Sequence, residues 1–235
     1  MRNYRTSAAT ETRYDYGVEL VAGLQSFPET APLAADFEQL NEELHQAYTA
    51  RRALRPALMK ARVAVRFASF EADTQIRSCS KAAEIVDGGR RGPVFKAAFP
   101  GGVGPVVAPV GARQMKPTQA LLDRLATSKN PAVGAFGAEW KPKIEPVLAK
   151  LGAAAEVHKA ARAAYDQAFQ EEVALREEHR RYVDRLMGEV RAAFPGDRAR
   201  QDIVFPQLDE SGSDDLDEAE APAEPAEPAE PVTPG

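Results

Sequence analysis

Three histidines and a single cysteine are the whole stock of imidazole and thiol in this 235-residue chain. His158 and His179 share one face of a long helical pattern with Glu172 between them. They stand about six turns apart, roughly 30 Å at the standard rise, so no single metal joins them. A carboxylate-bridged metal pair in a helical bundle wants Glu-x-x-His on two helices. Glu42-x-x-His45 is the one such match here, since Ala155 and Arg176 precede the other histidines. These imidazoles therefore read as polar positions at the edge of a packing seam, where they fix register. Cys79 falls between Ala72 and Val86 on another seam and reads as a small apolar side chain. Gly101-Gly102-Val103-Gly104 lacks the Lys-Ser/Thr of a phosphate loop and is preceded by no strand pattern, so it reads as a turn between helices. No Gly-x-Ser-x-Gly, His-Glu-x-x-His or Cys-x-x-Cys occurs. The residues point to no catalytic set, no metal and no cofactor.

Basic residues carry the remaining chemical signal. Arg51, Arg55, Arg62, Arg66, Arg77 and Lys81 are spaced by steps that keep them on roughly one side of a helix, a stripe able to track phosphates. Arg180, Arg181, Arg185, Arg191, Arg198 and Arg200 crowd the end of a second helical stretch.

The elements that position these residues are helical. From Phe37 to Val86 apolar residues recur on a heptad. One seam position holds Phe37, Leu44, Arg51, Leu58, Val65, Ala72, Cys79 and Val86. The other holds Leu40, Ala47, Leu54, Ala61, Ala68, Gln75 and Ala82. A 3.5-residue repeat places both on one face. A long helix is expected over 33–88, with Pro56 opposite the seam kinking it or splitting it in two. Gly88 and Gly89 supply its stop. A second long helix is expected over 143–194, its seam running Leu151, Ala154, His158, Ala161, Tyr165, Ala168, Glu172, Leu175, His179, Tyr182 and Leu186. A short helix precedes the first, through Val18, Leu20, Val21 and Leu24. Another is expected over 118–129 with Thr118 as its cap. Asn130-Pro131 breaks it, and Gly134 and Gly137 loosen the stretch before the second long helix.

Between the long helices, residues 89–117 form an apolar Gly/Pro loop with a short helix at Val94 to Ala98. So greasy a segment packs on the helices or against a partner, and Phe95, Phe99, Val106 and Val107 are the expected partner-contact patch. Tyr165, Phe169 and Tyr182 read as core. Lys96-Ala97-Ala98-Phe99-Pro100-Gly101 recurs as Arg191-Ala192-Ala193-Phe194-Pro195-Gly196, a hint of duplication.

Charge divides the chain. Its 30 bases and 35 acids give a net charge of −5, yet ten acids and no bases fall after Leu208, so the body carries +5. The tail, 207–235, repeats Ala-Glu-Pro and lacks the apolar residues to offset the entropy of ordering; it is expected to be disordered. It reads as a solubilising spacer, with folding back onto the basic body as the other option. The domains on this reading are 1–32, a helical body over 33–206, and the tail. No stretch approaches the ~18 apolar residues of a membrane span. The N-terminus shows no secretory pattern. One cysteine suits a reducing cytoplasm, and the preference for Arg over Lys suits a GC-rich bacterial genome.

The fold class expected is all-α: two long antiparallel helices, a coiled-coil-like hairpin or elongated bundle, with shorter helices, an apolar loop and an acidic tail. The function expected is a non-catalytic interaction or assembly protein, with a protein partner or self-association. The alternative is nucleic-acid association through the basic stripe, tempered by the tail.

Overall fold

The computed structural model describes residues 4–206. The acidic tail expected over 207–235 lies outside the described residues. Those residues form seven α-helices: α1 Thr10–Gln25, α2 Ala34–Val86, α3 Pro93–Ala98, α4 Gly104–Val107, α5 Met115–Thr127, α6 Pro131–Ala193 and α7 Arg198–Val204. Single 3-10 turns at Ala31–Leu33 and Gly111–Gln114 join them, and there is no strand among the described residues. The fold is all-α, dominated by two long antiparallel helices.

The chain divides into two compact units. One holds the residues up to Thr49 and those from Gln170 onward; the other is Ala50–Phe169. Each long helix contributes to both. This division differs from the linear one drawn on the sequence, because α1 packs with segments nearly the whole chain away.

The heptad seam of α2 is covered. Of its fifteen positions only Val86 is exposed. α2 continues unbroken through Pro56. Pro56 is exposed, so the carbonyl that its missing N–H would have satisfied faces water. After Val86, Gly88 and Gly89 adopt φ of 72° and 80°, and the Gly89 N–H returns to the Glu84 carbonyl at 2.8 Å, closing the helix as a left-handed stop.

α6 begins at Pro131, well before the expected start at 143. Asn130 Oδ1 accepts the Ala132 N–H at 3.0 Å and Pro131 takes the first helical position, where its missing N–H costs nothing. The pair that ends α5 therefore also starts α6. Gly137 does not loosen the helix. A Cβ there would stand 2.5 Å from the Leu125 carbonyl oxygen, so the glycine lets α5 and α6 approach closely. Pro142 and Pro146 lie inside α6 on its exposed side. Thr118 is not a cap: it is buried three residues inside α5, and its hydroxyl donates to the Gln114 carbonyl at 2.9 Å.

In the unit 50–169, Ile76, Cys79 and Ala83 of α2 form one core with Leu121, Leu122 and Leu125 of α5 and with Val133, Phe136, Trp140, Ile144 and Leu148 of α6. α3 and α4 fill its middle. Polar pins hold this Gly/Pro segment in place. The Asp87 carboxylate accepts the Val94 and Phe95 N–H groups at 3.1 and 2.8 Å. Ser69 Oγ accepts the Gly111 N–H at 3.0 Å, and the Gln114 amide donates to Asp73. Farther along, Ala68 and Ala72 pack on Leu151. Arg51 meets Tyr165 and Glu71 meets Lys150, so the two helices run in opposite directions.

In the other unit, α1 lays Tyr16, Leu20, Val21 and Leu24 against Phe37 of α2 and against Val183, Leu186 and Val190 of α6, with Val204 and Phe205 completing the core. Asp197 caps α7 by accepting the Arg200 N–H at 3.1 Å. The repeated hexapeptide makes the same local stop twice. Phe99 and Phe194 are both buried at helix ends, and each carbonyl accepts an N–H three residues on, from Gly102 at 2.9 Å and from Asp197 at 3.3 Å.

Candidate functional site

The apolar middle segment is not a contact patch. Phe95, Phe99, Val106 and Val107 are all buried in the core of their own unit. This corrects the sequence expectation: the greasy loop finds its cover in α5 and α6 of the same chain rather than in a partner. Cys79 lies in that core as well, and burial pushes its thiol up to about 12. It is a small apolar side chain, protonated at any physiological pH. Gly101 to Gly104 form the turn between α3 and α4, with Gly102 at φ 79°.

The stripe of bases is only partly a stripe. Arg55, Arg62, Arg66, Arg77 and Lys81 are exposed. Arg51 is not available to a phosphate, because its guanidinium donates to the Tyr165 hydroxyl at 2.7 Å and lies over the rings of Tyr165 and Phe169. That is the consequence of its seam position. Tyr165 and Tyr182 are half-buried, while Phe169 is 37% exposed rather than core.

The apolar company of the exposed bases escaped the sequence reading. Met59, Val63, Phe67 and Phe70 are each more than half exposed. Their spacing of four, four and three places them within an arc of about 80° on the side of α2 away from its seam. Arg55, Arg62 and Arg66 border one edge of that arc and Lys60 the other. Lys150 of α6 sits over the Phe67 ring at 5.4 Å, while its ammonium pairs with Glu71. The signal was present in the residues: from Leu44 to Phe70 there are six bases and no acid. The outer side of α2 thus carries an apolar stripe between basic borders.

The other unit holds a buried polar network. The Tyr4 hydroxyl lies 2.8 Å from His179 Nδ1, and His179 Nε2 lies 3.1 Å from Asn41 Oδ1. Asn41 Nδ2 donates to the Tyr14 carbonyl at 3.1 Å, which fixes the amide so that its oxygen faces the ring. Beside this, Arg176 pairs with the fully buried Glu172 at 2.6 Å, and both bond the Thr10 hydroxyl. His179 and Glu172 thus keep the seam positions expected of them and bind protein groups. His45 is elsewhere in the unit, stacked on Tyr14 with ring centroids 4.2 Å apart, and His158 is half-buried on α6.

A pocket of about 540 Å³ opens next to this network. Arg13 of α1 and Arg176, Arg180 and Arg181 of α6 line it together with Thr6, Val173, Glu177 and Asp184. Arg13 is 5% exposed. Its guanidinium donates to three backbone carbonyls, those of Ala8 at 2.8 Å, Thr6 at 2.6 Å and Arg176 at 3.1 Å, and lies over the Tyr4 ring at 4.9 Å. It makes no ion pair to a carboxylate among the described residues. Burial lowers its pKa from the usual guanidinium range, and the positive charges of Arg176 and Arg180 act in the same direction.

No family model, curated protein or solved structure matches this chain. Among the described residues no helix is long and apolar enough to cross a membrane.

Proposed function

We propose that the protein is a non-catalytic helical interaction protein that holds an amphipathic, acidic-flanked helix of a partner on the outer face of α2. The observation that supports this reading is the exposed row Met59, Val63, Phe67 and Phe70 between Arg55, Arg62, Arg66 and Lys60. Burying four such side chains supplies the apolar gain, at roughly 25 cal/mol per Å² removed from water. The bases select the sign of the partner's flanks and speed its approach. A second copy of the same face is disfavoured, because it would set arginine against arginine across the contact.

A second reading keeps the same face for nucleic acid. The exposed Arg55, Arg62, Arg66, Arg77 and Lys81 favour it, and the acidic tail would temper it.

The full-length protein carrying a photo-crosslinking residue at Val63 tests both. The expected result is a crosslink to a protein segment that is net acidic with apolar residues at helical spacing. It should persist after nuclease treatment and disappear in the Phe67→Ser/Phe70→Ser double variant with helicity unchanged. Crosslinks only to a second copy of this chain, to a basic segment, or to nucleic acid would overturn the reading, the last in favour of the alternative.

A further inference from the structure

The arginine-lined pocket lies in a different unit from the α2 face, and nothing in the proposed interaction uses it. We propose that it is a binding site for a small phosphorylated molecule, held by the guanidinium groups of Arg13, Arg176, Arg180 and Arg181.

Four guanidinium groups around one pocket repel each other unless an anion sits among them. Glu177 and Asp184 in the lining, with Glu172 paired to Arg176, offset part of that charge and leave the site about one charge positive. Arg176 already pairs with Glu172. Arg13 is the decisive member. It is buried, and three of its N–H groups are held by backbone carbonyls, so its orientation is fixed before any ligand arrives while its remaining N–H groups stay available. Its charge, in contrast, has no carboxylate partner among the described residues. A buried cation without a counter-ion is costly, and a bound anion relieves that cost. Arg180 and Arg181 are exposed and present the forked donors that match phosphate oxygens. Thr6 is also part of the lining. The volume, about 540 Å³, is far more than a bare phosphate fills and lies within the range of small-molecule sites.

The test is calorimetric titration of the full-length protein at low ionic strength with orthophosphate, pyrophosphate, ATP, citrate and a short single-stranded oligonucleotide. The expected result is saturable one-site binding of pyrophosphate and ATP. Arg180→Gln and Arg181→Gln should each weaken it by about tenfold. Both positions are exposed, so these variants keep the fold that Arg13 substitutions would put at risk. A Lys129→Gln/Lys159→Gln variant, at exposed positions outside the pocket and the α2 face, should bind like the parent. The proposal is overturned if neither pyrophosphate nor ATP saturates the protein at millimolar concentration. It is also overturned if citrate or the oligonucleotide alone binds, or if the Lys129→Gln/Lys159→Gln variant loses as much as the pocket variants.

Discussion

The Tyr4 phenol donates to Nδ1 of His179 across 175 residues of sequence, at 2.8 Å. The direction is set by the rest of the chain of bonds. Asn41 spends its N–H on the Tyr14 carbonyl and turns its oxygen to the ring, so Nε2 of the imidazole must carry the proton and Nδ1 must accept. Burial pushes the phenol up to about 12, which keeps it a donor at all ordinary pH. His179 is therefore neutral, in one tautomer, with both nitrogens satisfied.

Tyr4→Phe leaves Nδ1 buried without a donor. The expected cost is about 1–3 kcal/mol, read as a lower urea midpoint at unchanged slope. An unchanged midpoint would mean that the N-terminal residues do not hold this position in solution.

Acid should unlock the same unit. Burial, with the charge of Arg13 as a second cause, lowers the His179 imidazole from 6.5 to about 4. The folded value is the lower one, so the neutral ring's contribution is fully present above about pH 6.5 and is lost as the pH falls toward 4. The whole effect is on the order of 3 kcal/mol. Urea unfolding at pH 7.5 and 4.5 measures it, and His179→Gln should flatten the difference by about that amount. Parallel pH profiles for parent and variant would contradict the assignment.

Two glycines should respond with opposite signs. A Cβ on Gly17 would collide with Asn41 Oδ1, displacing the amide that orients His179. Gly17→Ala should cost about 1–3 kcal/mol. Gly134 lies in α6 with nothing within 4 Å of a built Cβ, and Gly134→Ala should gain about 0.5–1 kcal/mol from helix propensity alone. Thermal unfolding of the pair distinguishes them.

Core and surface phenylalanines should separate as cleanly. Phe99→Ala empties a fully enclosed site and should cost about 3–5 kcal/mol. Phe70→Ser, at 65% exposure, should change stability by no more than about 0.5 kcal/mol. Similar losses at both positions would mean that the outer face of α2 is covered in the folded protein.

The seams were legible because helical periodicity is local. Heptad spacing alone puts Leu44, Ala61, Ala72 and Cys79 on one face, and every one is buried. The start of α6 was harder. Asn130-Pro131 is at once a stop for α5 and a cap for α6, and Gly137 looks like a loosening residue until Leu125 is seen against it. The contact patch failed for a different reason: an apolar side chain needs cover, but its type does not say whose. Phe95 and Phe99 are covered by their own chain, whereas Met59 and Phe70, equally apolar, are not. The arginine pocket was out of reach, because Arg13 and Arg180 belong to patterns that never touch in one dimension.

The amino-acid sequence by itself determined the two long helices, their seams, the stop at Gly88 and Gly89, and the charge that separates body from tail, since each of these rests on spacings of three to seven residues or on composition. Only the tertiary structure decided which apolar faces are covered, which bases remain at the surface, and that Tyr4, Asn41 and His179 form one buried chain of hydrogen bonds. Those outcomes depend on which distant segments share a volume, and no local periodicity encodes that.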